Sequence, residues 1–252
     1  MDTQRHAGHT AIVTGAGSGI GRATALQLAG EGARVIGCDV SEAGLALTAE
    51  QLAAEGLSGD LLVADVTDQA DVDRVIAAAA GRVDLLANVA GVMDHFLPLG
   101  EISDDVWNRV LDINLTGVMR LTRAVLPLMT AAGAGAVVTV ASEASLRGGS
   151  AGVAYTCSKH AVIGLVQHVA YFYGPLGVRS NAVLPGPVVT GIGESAAPRS
   201  EWAMQRAMQS LAVMGPAAQP ITIATAISWL GCDEAVNVNG AVLTADGGWS
   251  AA

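Results

Sequence analysis

A glycine turn set between a short strand and a helix constrains this chain more than any other stretch. Thr10–Thr14 is a β-branched run, TAIVT, that leads into Gly15-Ala-Gly-Ser-Gly-Ile-Gly21, and the pattern then turns helical from Arg22 to about Glu31. Strand, glycine turn and helix is the setting a dinucleotide site requires. Glycines let the backbone approach a pyrophosphate, and the helix N-terminus supplies amides and the positive end of a dipole. The spacing is G-x-x-x-G-x-G, carried by Gly15, Gly19 and Gly21; G-x-G-x-x-G fails because position 20 is Ile.

The rest of the chain continues the alternation of strand and helix. The strand Ala33–Cys38 ends at Asp39, where a carboxylate can accept bonds from adenosine ribose hydroxyls and repel a 2′-phosphate. Ser18 in the glycine loop and Val40 after the acid offer no cation for that phosphate, so the expected cofactor is NAD rather than NADP. A surface Asp capping the next helix is the competing reading. Further strands are expected at Asp60–Ala64, Val83–Ala87, Ala136–Val140, Val178–Val183 and Ala241–Thr244. Helices are expected over Glu42–Glu55, Gln69–Ala80, Asp104–Met129, Val153–Tyr173 and Ile221–Leu230. The strands are nearly all apolar, as when helices cover both faces of a parallel sheet. Asp65, at a strand's carboxyl end, is placed to meet adenine. Asn88 either serves the cofactor or bonds neighbouring strands together. Asn114 falls mid-helix, where its amide competes for backbone groups, so either the helix is distorted there or the amide has work to do.

Tyr155-Thr-Cys-Ser-Lys159 places a phenol and an ammonium one helical turn apart, on one face. Of the thirteen basic residues twelve are arginine, and Lys159 is the only lysine. Arginine cannot be deprotonated and presents a planar fork, whereas lysine is a compact charge with rotatable donors. A chain that otherwise uses arginine and has a lysine here points to chemistry. A nearby cation favours the phenolate. Bringing a tyrosine from about 10 to about 7 takes roughly 4 kcal/mol, within reach of one ammonium helped by a cationic cofactor ring. Ser142, at the carboxyl end of the strand 136–140, gains weight jointly with Tyr155, because ligand chemistry in such sheets sits at those ends.

Bulk properties exclude several classes. With 252 residues, 51% of them hydrophobic, the chain can bury a large core as one α/β domain. A net charge of −10 argues against nucleic acid and against an anionic membrane surface. No apolar run reaches the length of a membrane span and no signal peptide opens the sequence, so the expected location is cytoplasmic. Cys38, Cys157 and Cys232 have no metal-ligand or redox spacing. No metal is expected at His6 and His9, because Met1–His9 reads as a loose polar tail.

Assembled, these residues resemble the classical short-chain dehydrogenase/reductase family over essentially the whole chain. The resemblance rests on Thr14-Gly15-x-x-x-Gly19-Ile20-Gly21, Asp39, Asp65-Val66, Asn88-x-Ala-Gly91, Asn114, Ser142, Tyr155-x-x-x-Lys159 and Pro185-Gly186 through Thr190. It implies a Rossmann-type, doubly wound, seven-stranded parallel sheet with helices on both faces. In the family's mechanism Tyr155 exchanges the hydroxyl proton and Ser142 hydrogen-bonds the substrate oxygen. Lys159 binds the nicotinamide ribose, and Asn114 holds a water in the proton relay. NAD would lie against Gly15, Ser18, Gly19, Ile20, Gly21, Asp39, Asp65, Val66, Asn88, Ala90, Gly91, Tyr155, Lys159, Pro185, Gly186, Val188 and Thr190, with the Val188 backbone and Thr190 fixing the carboxamide. The resemblance also implies a homotetramer paired through the helices carrying Asn114 and Tyr155. Two departures stand out. The family's usual second Asn is Val89, and its Gly-Arg-Pro-x-Glu is replaced by Met214-Gly-Pro-Ala-Ala-Gln-Pro220.

The expected activity is interconversion of a hydrophobic cyclic or aryl-alkyl secondary alcohol and its ketone. A small helical flap, residues 191–215, and the segments Val92–Leu97 and Glu143–Ser150 are expected to line the pocket. Its candidate residues are Met93, His95, Phe96, Ala144, Trp202, Met204 and Met214, with Arg147 and His95 as candidate anion contacts. A 3-oxoacyl-carrier-protein reductase shares the fingerprint, but Asp39 and the acidic charge speak against NADPH and a basic docking patch. A non-catalytic NAD-binding protein is disfavoured by Asn114, Ser142, Tyr155 and Lys159 occurring together.

Overall fold

Within β1 (Thr10–Thr14) successive side chains part company, Ala11 and Val13 joining one apolar cluster and Ile12 another. β4 (Leu85–Asn88) divides the same way: Leu85 and Ala87 face the first cluster and Leu86 the second. A strand buried on both faces must lie inside a sheet covered twice. The computed structural model describes residues 4–190 and 192–252. It shows one seven-stranded parallel sheet in the order β3-β2-β1-β4-β5-β6-β7. The remaining strands are β2 (Arg34–Asp39), β3 (Asp60–Val63), β5 (Gly135–Val140), β6 (Val178–Pro185) and β7 (Val242–Ala245). The chain is a single Rossmann-type domain, and its strand order reverses between β1 and β4.

The first cluster lies under α1 (Gly19–Gly30), α2 (Glu42–Ala54) and a late helix, Pro220–Gly231, through Leu28, Leu45, Leu52, Ile223 and Ile227. On the other face α3 (Gln69–Ala78) contributes Val72 and Val75 to the second cluster. The helix expected to run unbroken from Asp104 is instead three pieces: α4 (Asp104–Leu111), a π-helical stretch (Asp112–Gly117) and α5 (Val118–Ala132). Asn114 sits in the π-helical stretch, so the distortion its sequence position suggested is present. A π turn inserts one residue into the hydrogen-bond ladder and re-aims the side chains around it. α6 (Val153–Tyr173) keeps the expected bounds and packs Val162 and Val166 against β5 and β6.

The flap forms α7 (Gly193–Ala196) and α8 (Glu201–Leu211), followed by α9, the Pro220–Gly231 helix. Gly191, where the flap was taken to begin, lies outside the described residues. The altered segment before α9 is tied to the sheet end, because Ala218 N donates to Pro187 O at 2.9 Å and Val189 N to Ala218 O at 3.0 Å.

The N-terminal tail is a correction. Residues 4–9 are not loose: the His6 side chain is fully buried, with Nε2 at 3.2 Å from both the carbonyl and the hydroxyl of Ser228 on α9. His6 N donates to Glu31 O at 2.9 Å, and the Glu31 carboxylate accepts from the Ser228 hydroxyl. A polar stretch reads as a tail because its partners lie far along the chain. Here the partners join the end of α1 to α9. Among the described residues no helix is long and apolar enough to cross a membrane.

Candidate active site

The glycine turn is shaped by close approaches. Gly15 has φ +69°, which favours glycine, and a Cβ there would come within 3.1 Å of Ala90 on the loop after β4. A Cβ on Gly21 would lie 2.0 Å from the Gly15 carbonyl, so only glycine lets α1 begin this close to the turn. The α1 N-cap, Ser18, makes no side-chain capping bond, which leaves first-turn amides for an anionic group. Thr14 Oγ1 accepts from Val89 N at 2.9 Å and Ala90 N at 3.0 Å. β1 and the loop after β4 are therefore joined through main-chain donors, and position 89 needs no amide side chain there. The Val89 departure is thus structurally tolerated, and the valine lines the cavity described below.

Asp39 closes the adenosine end. Its Oδ2 accepts from Gly17 N at 2.9 Å and Oδ1 from Ser41 N at 2.8 Å. Arg22 reaches the same turn, but its guanidinium is engaged by the carbonyls of Gly17 and Gly44 and by Thr48 Oγ1. Asp65 Oδ1 accepts from the amide and hydroxyl of Thr67 at 2.8 and 2.7 Å, and Val66 packs on Gly117 of the π stretch. Asn88 resolves toward the structural alternative. Its amide points to Thr122 Oγ1 at 3.2 Å and Thr139 Oγ1 at 3.5 Å, joining β4 to α5 and β5.

The catalytic group converges at the carboxyl ends of β4, β5 and β6. The Ser142 hydroxyl lies beside the Tyr155 phenol, and Ser142 Oγ accepts from Ala144 N at 3.1 Å. Lys159 Nζ donates to Val140 O at 2.8 Å and lies 5.6 Å from the centroid of the Tyr155 ring. Ser145 Oγ in turn donates to Lys159 O at 2.8 Å. Asn114 Oδ1 accepts from Val92 N at 2.9 Å, and its Nδ2 donates to Val92 O at 2.9 Å and Ser158 Oγ at 3.2 Å. Its amide therefore fastens the loop after β4 to α6.

The electrostatics differ from the expectation drawn from spacing alone. Burial pushes the Tyr155 phenol up, the Ser142 hydroxyl pulls it down, and the Asp94 carboxylate pushes it up again. Burial does not leave the Lys159 ammonium at its ordinary value either, and brings it down from 10.5 to about 8. An ammonium held this deep with one carbonyl partner has donors free for another ligand, and ribose hydroxyls fit that need. The glycine cradle, the Asp39 carboxylate and this lysine together fit a nicotinamide dinucleotide.

Asp94 is a site residue that the sequence did not single out. Fully buried, it accepts from Tyr155 N at 2.9 Å and covers the start of α6 so closely that a Cβ on Gly152 would meet its carboxylate at 2.3 Å. A carboxylate there neutralises the amides and dipole end of the helix carrying the tyrosine. Its partners are some sixty positions away in sequence, so no local pattern announces it.

A cavity of about 320 Å³ opens over Ser142 and Tyr155. Of the residues expected to line it, Met93, Phe96 and Met214 do so. The other four do not. His95 sits beside the wall in a left-handed conformation (φ +58°), its Nδ1 3.1 Å from Ala197 O, and holds the flap. Ala144 is buried beneath Ser142, Trp202 lines a neighbouring groove, and Met204 lines neither space. Arg147 is not available to an anion, because its guanidinium pairs with the buried Glu143 carboxylate and donates to Trp249 O at 3.2 Å. Ser150, Ile192 and Leu211, from the segments expected to line the pocket, also form its walls, and Trp249 is a wall residue from outside them. Trp249 also donates from Nε1 to Ser210 O at 2.9 Å, tying the C-terminal segment to the end of α8.

A parallel sheet reversing at β1/β4, a glycine cradle and a buried Ser–Tyr–Lys group define a nicotinamide-dependent oxidoreductase of the Rossmann class. The comparisons agree. The sequence model of a family described as Enoyl-(Acyl carrier protein) reductase matches residues 15–250. A 3beta-hydroxysteroid dehydrogenase 2 of Eggerthella lenta is 39% identical, with 100% of both chains covered. The crystal structure of a levodione reductase superposes with a TM-score of 0.89 at 34% identity, covering 98% of this chain and 99% of that one. A protein of Beutenbergia cavernae described as an NAD(P)-dependent gluconate 5-dehydrogenase, solved with bound NADP, has a TM-score of 0.87 and 40% identity over 98% of each chain. The chain belongs to the short-chain dehydrogenase/reductase family, and it is an NAD(P)-dependent oxidoreductase acting on CH–OH groups.

Proposed function

We propose that the protein is an NAD-dependent dehydrogenase that interconverts a hydrophobic cyclic or aryl-alkyl secondary alcohol and its ketone. The observation that carries the substrate reading is the cavity. Its hydroxyls, Ser142, Tyr155, Ser150 and Thr190, face walls of Ile20, Val89, Met93, Phe96, Ile192, Leu211, Met214 and Trp249. Sites of this kind bind apolar ligands and orient them with few polar groups. A hydroxysteroid, the substrate named for one relative, is a hydrophobic cyclic alcohol. NAD over NADP is supported by Asp39 at the end of β2 and by an Arg22 already engaged by Gly17, Gly44 and Thr48. Against a carrier-protein substrate stand the net charge of −10 and the paired Arg147.

In this reading Ser142 Oγ holds the substrate oxygen and Tyr155 Oη takes or returns its proton. The bound cofactor accepts or supplies the hydride. Lys159 holds the ribose with the donors that Val140 leaves free. Because the Asn114 amide is engaged by Val92 and Ser158, its share in a proton relay falls to its main chain. Asp94 fixes the start of α6 and with it the height of the phenol. The reading includes a cytoplasmic homotetramer. It is supported by an exposed aromatic end of α6, where Tyr171 and Phe172 are 78% and 59% accessible and meet edge to face.

The test is kcat/KM across cyclic alcohols, linear alcohols, gluconate and a 3-oxoacyl thioester, each with NAD and NADP. Cyclic or aryl-alkyl alcohols should lead, and NAD should be favoured by at least about tenfold, roughly 1.4 kcal/mol of transition-state discrimination. Asp39→Ala should narrow that ratio. A lead for gluconate or the thioester, or an outright preference for NADP, would overturn the corresponding half of the reading.

A further inference from the structure

Beside the reaction cavity runs a second hollow, about 510 Å³, between the start of α6, the Leu97–Leu99 stretch and α8. Three segments separate the two spaces, and each faces both. Phe96 lines both spaces. Ser150 faces the reaction cavity and its neighbour Gly149 the groove; Leu211 and Ser210 divide in the same way. The boundary is thus a neck one residue thick. Phe96 and His95 form it from consecutive left-handed positions, φ +55° and +58°, held by His95 N donating to Ser195 O and Arg199 N to His95 O. Backbone in that region is costly for large side chains and persists where the surroundings enforce it.

The neck and groove carry polar atoms that the fold leaves without partners. Ser150 Oγ, Ser210 Oγ and Thr156 Oγ1 are buried atoms with no hydrogen bond in the protein, and Ser150 is 8% exposed. A buried hydroxyl without a partner is unfavourable and calls for an explanation. Farther along, Trp202 offers an exposed ring, and Arg206 an exposed guanidinium whose one hydrogen-bond partner among the described residues is Gln209. Among the described residues lining the groove none is acidic.

We propose that the groove is a second subsite for the remote part of the substrate. It takes an extended ring or aryl group that passes Phe96, lies against Trp202, Ala203 and Ala207, and ends in an oxygen acceptor, best a carboxylate, at Arg206. The substrate is then bipartite: a compact ring bearing the reacting carbon, joined in line to a second ring with a polar end. The proposal rests on the alcohol–ketone reading for the identity of the reacting ring, and the groove's occupancy is measurable without turnover.

The experiment compares three ketones: 4-methylcyclohexanone, 4-phenylcyclohexanone and 4-(4-carboxyphenyl)cyclohexanone. Binding is measured by calorimetry on the Tyr155→Phe protein loaded with NADH, and reduction is measured on the parent protein. The carboxyphenyl ketone should bind at least about tenfold more tightly than the methyl ketone, a gain within reach of one buried aryl group. Ala203→Phe, which fills the groove away from the reaction cavity, should abolish that gain and leave the methyl ketone within about twofold. Arg206→Gln, on an exposed helix face, should remove at least about threefold of the carboxylate's advantage over the phenyl ketone. Failure of the carboxyphenyl ketone to bind more tightly, or equal weakening of all three by Ala203→Phe, would overturn the groove. If binding follows the groove variants while the parent reduces none of the ketones, the groove stands and the alcohol–ketone reading falls.

Discussion

Replacing Lys159 with methionine should remove activity and, in the absence of cofactor, make the protein more stable. The ammonium is 4% exposed and its one protein partner is the Val140 carbonyl. Burial brings it from 10.5 to about 8. At 1.36 kcal/mol per pH unit, that gap of about 2.5 makes holding the charge inside at neutral pH unfavourable by roughly 3 kcal/mol. Methionine keeps the length and apolar stem but loses the bond to Val140 O, worth about 1 kcal/mol. The net gain is about 2 kcal/mol, or about 4 °C in Tm for a chain of this size.

The pH dependence identifies the cause. A cation whose folded pKa lies below its unfolded value carries its full penalty below the folded pKa, here about pH 8. The penalty fades as pH rises from about 8 through 10.5 and is gone above it, where both states are neutral. The methionine variant's advantage should therefore be greatest near pH 7, vanish before pH 10.5 and give way to a deficit of about 1 kcal/mol, the lost Val140 bond, at higher pH. Saturating NAD should reverse the order, since a ligand at 100 times its Kd stabilises its binder by about 2.7 kcal/mol and the variant lacks the ribose contact. The assay is calorimetric melting of both proteins at pH 7 and above pH 10, with and without NAD. A variant that melts lower at pH 7 without cofactor, or an advantage unchanged by pH, would refute the argument.

Two further substitutions separate chemistry from positioning. Tyr155→Phe should lower kcat by roughly a hundredfold or more, the usual contribution of a positioned acid–base group, while NAD affinity by fluorescence titration stays close to that of the parent. Near-native turnover would remove the tyrosine from its role. Trp249→Phe keeps an aromatic wall but loses the Nε1 bond to Ser210 O. KM should rise about fivefold, equivalent to about 1 kcal/mol, with kcat little changed, and a loss confined to kcat would count against a packing role.

How much of this was legible in the sequence depends on the reach of each interaction. The glycine turn, Asp39 at a strand end and the Tyr155–Lys159 pair are local patterns, and the structure brings them to one crevice. α6 has its expected bounds because its run of helix-forming residues between Gly152 and Gly174 is local too. Contacts between distant segments left no such trace. His6 looked like tail because Ser228 is 222 positions away, and Trp249, which lines the cavity, lies outside every segment expected at the pocket. Met204 and Trp202 shared the composition of a pocket lining. Periodicity on α8 alone does not say which of its faces turns inward, and only Leu211 and Ser210 reach the neck.

The tyrosine shows why spacing alone misjudged the electrostatics. Four residues on a helix bring phenol and ammonium to one face, and a cation there ought to favour the phenolate. In the folded chain the same burial that brings the two groups together withdraws water from both. The phenol rises and the ammonium falls, so each approaches its neutral form. Lys159 points past the ring to Val140 O, not to the phenol oxygen, and Asp94 adds a negative charge on the other side. With the protein's own groups alone, Tyr155 is therefore a protonated phenol at neutral pH. What would lower it is positive charge brought to the cavity, and an oxidised nicotinamide ring carries such a charge. The chain's acid–base group then becomes competent only when the hydride acceptor is present. This coupling predicts that the pH profile of kcat has a lower apparent pKa than a direct titration of Tyr155 in the cofactor-free protein, and equal values by the two measurements would break the link.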